Sequence, residues 1–253
     1  MTNDDGIHSD GLIKLEEALR EIGDVYVIAP ATEMSGTSHS LTLARPLRIK
    51  RIDNRHWSVD GTPTDCVTLA LNKIIGPDEQ PEICVSGINY GANLGDDVSY
   101  SGTVAGALEA TILGVPSVAM SLVTKRNFDF THAARFAIRI VQKVLQEGLP
   151  KGTLLNINVP PGEIKGARLT KQGIKHARPV ITENKDPRGK PYYWIGEQYY
   201  GAAAEDGTDY RAIEQGFVSI TPIRSDMTDH RAFSLMEDWN YINEKEVMQE
   251  SQV

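Results

Sequence analysis

Two carboxylates stand side by side near the start of the chain, in Asn3-Asp4-Asp5-Gly6. Adjacent carboxylates repel each other unless a cation or a proton is shared between them. Within a strand they would point to opposite faces. At a strand end, where the chain turns into a loop, both can swing toward one ion, and Gly6 permits that turn. The competing reading is a pair of solvated acids on an exposed terminus. Further along, the polar loop 33–40 offers Ser35, and the Gly- and Asn-rich loop 87–102 offers Asn89, Asn93, Asp96 and Asp97. Carboxylates, a hydroxyl and amides form an all-oxygen donor set, which suits Mg²⁺ or Mn²⁺ and is wrong for zinc. The histidines show no metal-ligand spacing, and His8 and His39 read as surface groups or neighbours of a site rather than ligands.

The third loop ends Tyr100-Ser101-Gly102-Thr103 as it enters a helical pattern. Free N–H groups at a helix start bind phosphate, and Ser101 and Thr103 add hydroxyls. Ser101 acting as an ordinary N-cap is the alternative. A hard cation beside a phosphate cradle points to phosphoryl-group hydrolysis.

The elements that must position these loops alternate strand and helix. Leu12, Leu15, Leu19 and Ile22 recur at helical spacing behind Ser9 or Asp10 as N-cap. Val25-Tyr26-Val27-Ile28-Ala29, ended by Pro30, is a buried strand, and residues 41–50 and 56–60 read as a hairpin or two edge strands. Thr62-Pro63-Thr64-Asp65 carries a hydroxyl cap, a first-position proline and a first-turn acid, which start a helix. Ile83-Cys84-Val85-Ser86 is a buried strand; a helix over 103–113, a strand over 115–122, a helix near 131–147 and the strand Leu154-Leu155-Asn156-Ile157-Asn158-Val159 follow. Such alternation predicts a parallel sheet covered on both faces, with ligands beyond the carboxyl ends of its strands. Loops 3–9, 33–40 and 87–103 all follow predicted strands, so they converge on one edge.

After about 163 the pattern changes to a polar turn over 185–190, the aromatic strand Tyr192-Tyr193-Trp194-Ile195, a strand Phe217-Val218-Ser219-Ile220-Thr221-Pro222 and an acidic helical tail over 232–253. This region reads as an extension that wraps another subunit, against the alternative of an insertion lying on its own core. The domain expectation is therefore a single unit over 1–253, with a core over 1–162 and an extension over 163–253.

With 253 residues and 40% hydrophobic content the chain can bury a substantial core. A formal net charge of -8 argues against binding a nucleic-acid polymer, which needs Lys and Arg to neutralise phosphates, while a small anion beside a metal stays open. Cys66 and Cys84 sit in apolar stretches, no disulfide framework is visible, and neither a membrane span nor a signal peptide stands out. The expected location is the cytoplasm. Only Met1 and Thr2 precede the Asn-Asp-Asp turn. Either the first strand is unusually short or the polypeptide begins upstream, and the second reading is favoured here.

Several of these stretches together resemble the SurE family of survival-protein nucleotidases. They are Asn3-Asp4-Asp5-Gly6, Ser35-Gly36, the run 59–67, Ser86-Gly87-Ile88-Asn89, Gly91-Ala92-Asn93-Leu94-Gly95-Asp96-Asp97 and Tyr100-Ser101-Gly102-Thr103. Asp186-Pro187-Arg188-Gly189, Gly207-Thr208-Asp209 and Ser219-Ile220-Thr221-Pro222 continue the likeness over nearly the whole chain. The resemblance implies a Rossmann-like three-layer α/β/α sandwich whose C-terminal β-hairpin and tail exchange between subunits, giving a homodimer or homotetramer. It implies one divalent ion per subunit (Mg²⁺ or Mn²⁺) on Asp4, Asp5, Ser35 and Asn89, with Asn93, Ser101, Gly102 and Thr103 lining a phosphate site. It further implies hydrolysis of nucleoside 5′- and 3′-monophosphates, with polyphosphate as an additional substrate; in the mechanism that follows, Asp4 or Asp5 is expected to accept the water's proton. Three other readings compete. A haloacid-dehalogenase-type phosphatase needs two aspartates one residue apart, whereas Asp4 and Asp5 are adjacent. A non-catalytic nucleotide- or metal-binding regulator would keep the site without turnover, and a purely structural module leaves the polar residues unexplained.

Overall fold

Short β-branched runs become strands here because helices cover both of their faces. The computed structural model describes residues 1–124, 126, 129–203, 205–236 and 239. Its strands are β1 (Val27–Pro30), β2 (Ile49–Arg51), β3 (His56–Val59), β4 (Cys84–Tyr90), β5 (Ser117–Leu122), β6 (Thr153–Val159), β7 (Ala167–Leu169), β8 (Ile174–Lys185), β9 (Pro191–Ala203) and β10 (Val218–Arg224). Its helices are α1 (Asp10–Leu19), α2 (Pro63–Leu69), α3 (Gly102–Ile112), α4 (Thr131–Glu147), α5 (Asp209–Glu214) and α6 (His230–Leu235).

β4, β5 and β6 run parallel, and β10 pairs antiparallel to β6 and parallel to β7. β1 lies parallel to β3, which is antiparallel to β2. Met1 and Thr2 join the two groups. Ile28 N–H donates to the Met1 carbonyl at 3.0 Å, and Thr2 bridges to Ser86 in parallel register. Thr2 thus adds a single bridge at the edge of β4, and a cavity of about 400 Å³ lies beside Met1, lined by Leu19, Ile22, Val25, Leu71 and Ile83 among others.

Alternation along β5 sets the layers. Val118 and Met120 face α1 and α4, joining Leu12, Leu15, Ala137, Val141 and Ile157 in the largest core cluster. Ala119 faces the other way, onto Val104, Ala107 and Leu108 of α3. α2 completes that second layer through Val67, joined by Leu71 just beyond its end, against Cys84 and Ala110. The result is the three-layer α/β/α sandwich expected from the sequence.

Three elements differ from expectation. Residues 41–48 are not a strand: the Thr42 N–H and hydroxyl both go to the Asp65 carboxylate, at 2.9 and 2.6 Å, and Pro46 has no N–H to offer a ladder. β4 runs on through Asn89 and Tyr90 rather than ending at Ser86, with a register shift against β5 between Ser86 and Asn89. The region after 163 divides, since β7, β10 and α5 build onto the main sheet while β8 and β9 form a long hairpin. On that hairpin Trp194 and Ile195 are 66% and 81% exposed. Most of the expected tail helix over 232–253 lies outside the described residues.

Asp65 shows how α2 serves the site edge. It completes a capping box with Thr62, whose hydroxyl also donates to the Ser40 carbonyl at 2.7 Å, so helix cap and loop 33–42 are held by one buried cluster. Replacing Asp65 with Ala is expected to lower stability by about 2–3 kcal/mol, because a cap and two loop hydrogen bonds are lost together. Denaturant titration checks the loss, and limited proteolysis should cut the 33–42 loop first.

Candidate active site

The turn after the first strand is built by Asn3 and Gly6. Asn3 is fully buried, and its Nδ2 donates to the Gly6 carbonyl at 3.0 Å and to Ser9 Oγ at 2.6 Å. Ser9 therefore serves this turn and makes no side-chain cap on α1. Gly6 has φ +96°, a conformation side chains avoid, and its neighbour Ile7 donates to the Pro30 carbonyl at 2.8 Å.

Asp4 is only 4% exposed, and the N-terminus of α3 closes on it. Thr103 Oγ1 donates to its carboxylate, as do the N–H groups of Gly102 and Thr103. Gly102 allows this approach: a Cβ there would stand 2.8 Å from Asp4 Cβ and 3.0 Å from its Oδ2. Burial pushes the Asp4 pKa up, and the hydrogen bonds pull against that rise. Asp5 is half-buried, and its Oδ2 accepts from the Tyr90 N–H at 3.2 Å. Burial first, and the Asp4 charge second, raise its pKa to about 7.

Loop 33–40 is drawn onto the same edge. Met34 N–H donates to the Asp4 carbonyl at 2.7 Å, Ser38 Oγ to the Ser99 carbonyl at 2.6 Å, and Ser38 N–H to the Tyr100 carbonyl at 3.1 Å. His39 Nε2 lies 2.8 Å from Glu109 Oε2, whose other oxygen takes the Thr68 hydroxyl at 2.9 Å. The His39 hydrogen bond holds Glu109 below the usual carboxylate range. Ser35 is exposed, and its hydroxyl donates to Glu33 at 2.8 Å. Asn89 donates Nδ2 to the Gly91 carbonyl at 3.1 Å, which leaves its side-chain oxygen as the atom that could face a cation. The three polar loops thus meet at one sheet edge, as their positions after strands require.

Among the described residues no group of three or more His, Cys, Asp or Glu side chains is placed to hold a metal. The donor set is two carboxylates with a hydroxyl and an amide oxygen. It fits a hard divalent cation, because two adjacent carboxylates both pushed toward protonation gain most from a nearby positive charge.

The residues expected at a phosphate fall into two groups. Ser101 Oγ accepts the Val104 N–H at 3.0 Å, so it is an N-cap, and Thr103 spends its hydroxyl on Asp4. Asn93 is buried inside an amide network that the sequence reading missed. Its Nδ2 donates to Ser121 Oγ at 2.8 Å, its N–H donates to Asn158 Oδ1 at 2.8 Å, and its carbonyl accepts from Asn156 and Asn158 at 2.8 and 3.0 Å. The signal was present: two asparagines at i and i+2 in an otherwise apolar central strand must share a face and a polar partner. Asp96 is exposed, while Asp97 pairs with Lys175 at 2.8 Å.

The family model described as Survival protein SurE matches residues 1–179. A protein from Syntrophotalea carbinolica named 5′-nucleotidase SurE is 45% identical over 242 residues, covering 95% of this chain and 96% of that one. Its namesake from Myxococcus xanthus is 46% identical over 241 residues, covering 94% of this chain and 92% of that one. A crystal structure of the SurE protein from Aquifex aeolicus superposes with a TM-score of 0.84 at 44% identity, covering 94% of this chain and 98% of that one.

Two outcomes follow from the carboxylate pair. Without a cation the folded protein keeps a proton on Asp5 up to about pH 7, whereas the unfolded chain releases it near the ordinary carboxylate value of 3.8. The folded state then binds more protons across that window, so this group's contribution to stability is lost as pH rises through it. Chelated wild type is therefore expected to lose melting temperature relative to Asp5→Asn between about pH 4 and pH 7, and saturating Mn²⁺ should remove that loss. Thermal denaturation of both proteins, with and without chelator, checks the sign. In Gly102→Ala the new methyl collides with Asp4, and a stability loss of about 1–3 kcal/mol with weakened Mn²⁺ binding is expected, read by denaturation and by calorimetric titration.

Proposed function

The chain belongs to the SurE family, and from that premise we propose that it is a metal-dependent phosphomonoesterase. Its substrates are nucleoside 5′- and 3′-monophosphates, which it hydrolyses to nucleoside and phosphate, and the same chemistry extends to terminal phosphates of polyphosphate. The observation that carries this reading is the junction of Asp4 and Asp5 with the N-terminus of α3, closed by Gly102. Relatives at about 45% identity that bear the name 5′-nucleotidase support nucleotides as the substrate class.

Asp4, Asp5, Ser35 and Asn89 would hold one divalent cation, Mg²⁺ or Mn²⁺, which when bound supplies Lewis-acid polarisation of the phosphoryl group and activation of water. Thr103 and the first amides of α3 fix the Asp4 carboxylate, so its orientation does not depend on the substrate. The amides at the start of α3 favour negative charge beside them, and a phosphate approaching this edge meets that field. Ser101, Gly102, Thr103 and Asn93 line its approach, with Asn93 held rigid by Asn156, Asn158 and Ser121. Water adds to phosphorus, the ester P–O bond breaks, and the departing nucleoside oxygen takes up a proton. Asp5 is assigned as the acceptor of the water's proton, since Asp4 already takes hydrogen bonds from Thr103 and the helix amides.

The hairpin of β8 and β9, with Trp194 and Ile195 exposed, supports exchange between subunits in a homodimer or homotetramer. The core over 1–162 and the extension over 163–253 then act as one unit. Two free buried cysteines support a reducing compartment, the cytoplasm. Among the described residues no helix is long and apolar enough to cross a membrane.

Phosphate release from AMP and GMP tests the reading. Release with Mn²⁺ or Mg²⁺ that stops on chelation is expected, and Asp5→Asn should lose at least about a thousandfold in kcat while keeping its fold. Metal-independent release, or full activity in Asp5→Asn, would contradict it.

A further inference from the structure

Beyond Asn93 the chain enters a tight turn, Gly95–Ser99, which the C-terminal half of the protein grips. Gly95 N–H donates to Asp209 Oδ2 at 2.8 Å, and Gly173 N–H donates to Asp209 Oδ1 at 2.8 Å. Gln172 Nε2 donates to the Gly95 carbonyl at 3.0 Å, and the Tyr210 hydroxyl donates to the Leu94 carbonyl at 3.3 Å. Gly95 has φ +51°, and a Cβ there would stand 2.6 Å from the Gly173 carbonyl oxygen and 2.8 Å from the Tyr210 ring. Lys175, on the first residues of β8, pairs with Asp97 at 2.8 Å and with Glu197 of β9 at 2.6 Å.

Asp209 is 0% exposed. A buried carboxylate is costly unless donors satisfy it, and here the donors are the main-chain N–H groups of Gly95, Gly173 and Tyr210. Those donors lie on three separate segments: the turn after Asn93, the root of the β8–β9 hairpin, and α5. An acid bonded to three backbone amides sets their mutual spacing within hydrogen-bond tolerance, which a hydrophobic contact would leave loose.

We propose that Asp209 is a positioning residue for the phosphate site, with Lys175 as its outer partner. Together they lock loop 94–97, and through it Asn93, onto the root of the β8–β9 hairpin. The hairpin and the phosphate site are therefore one mechanical unit, so displacement of the hairpin root loosens the grip on substrate phosphate. This rests on the reading that Asn93 lines the phosphate site.

The test compares wild type, Asp209→Asn, Lys175→Met and Lys175→Arg in the Mn²⁺-loaded full chain. Turnover of AMP by wild type tests the reading of the site, and the variant-to-wild-type ratios test the proposal. Asp209→Asn puts an N–H where an N–H must be accepted, and is expected to raise KM for AMP about tenfold while Mn²⁺ affinity stays within about twofold. Hydrogen exchange over residues 93–99 should quicken about tenfold in the same variant, with exchange at residues 3–6 unchanged. Lys175→Met should show the same pattern more weakly, and Lys175→Arg should restore wild-type KM. If Asp209→Asn does not fold, the two Lys175 variants decide by the same readings. Unchanged KM, unchanged exchange over 93–99, or equal loss of Mn²⁺ affinity and AMP affinity would overturn the proposal.

Discussion

Two carboxylates on consecutive residues at the rim of a parallel sheet cannot both remain charged unless something positive lies beside them. The structure meets that constraint on one side only. Asp4 is driven against the start of α3, where Gly102, Thr103 and the helix field answer its charge. Asp5 takes a main-chain N–H from Tyr90, and burial raises the proton affinity of both carboxyls. Much of the surrounding structure follows from this asymmetry. Asn3 and Gly6 shape the turn that separates the two carboxylates, Met34 brings the Ser35 loop to it, and the absence of a side chain at Gly102 lets the helix reach it.

Family membership and the geometry bear on each other at this point. A mixed sheet with helices on both faces is shared by proteins of many activities and says little about function by itself. The arrangement of Asp4, Asp5, Asn89 and the α3 N-terminus is more restrictive. On the proposed reading it would give a hard cation and an anion adjoining places on one edge, which is the arrangement that hydrolysis of a phosphate ester needs. The amide network around Asn93 holds rigid the residue proposed to orient a substrate oxygen.

Much of the fold was legible in the sequence because local signals agreed with the global arrangement. The Thr62-Pro63-Thr64-Asp65 start, the 131–147 periodicity and the β-branched runs each act within a few residues, and each became the element expected. Loop convergence was legible for the same reason, since polar loops after parallel strands share an edge. Long-range partners were not. Asp65 holds Thr42 across 23 residues, Asn158 holds Asn93 across 65, and Asp209 holds Gly95 across 114. Nothing in the local pattern names such partners. The loop at 41–48 was misread as a strand because its hydrogen bonds go to the Asp65 side chain rather than to a neighbouring strand. Ser101 and Thr103, expected beside a phosphate, here also cap the helix and hold Asp4, and the Asp4 contact spans 99 residues.

Mn²⁺ binding to Asp4→Asn and Asp5→Asn beside wild type, followed by calorimetry and by electron paramagnetic resonance of the ion, tests the central claim most directly. One site per subunit is expected in wild type, with an affinity loss of about a hundredfold or more in each variant and both variants folded. Wild-type affinity in either variant would contradict the account and place the cation elsewhere.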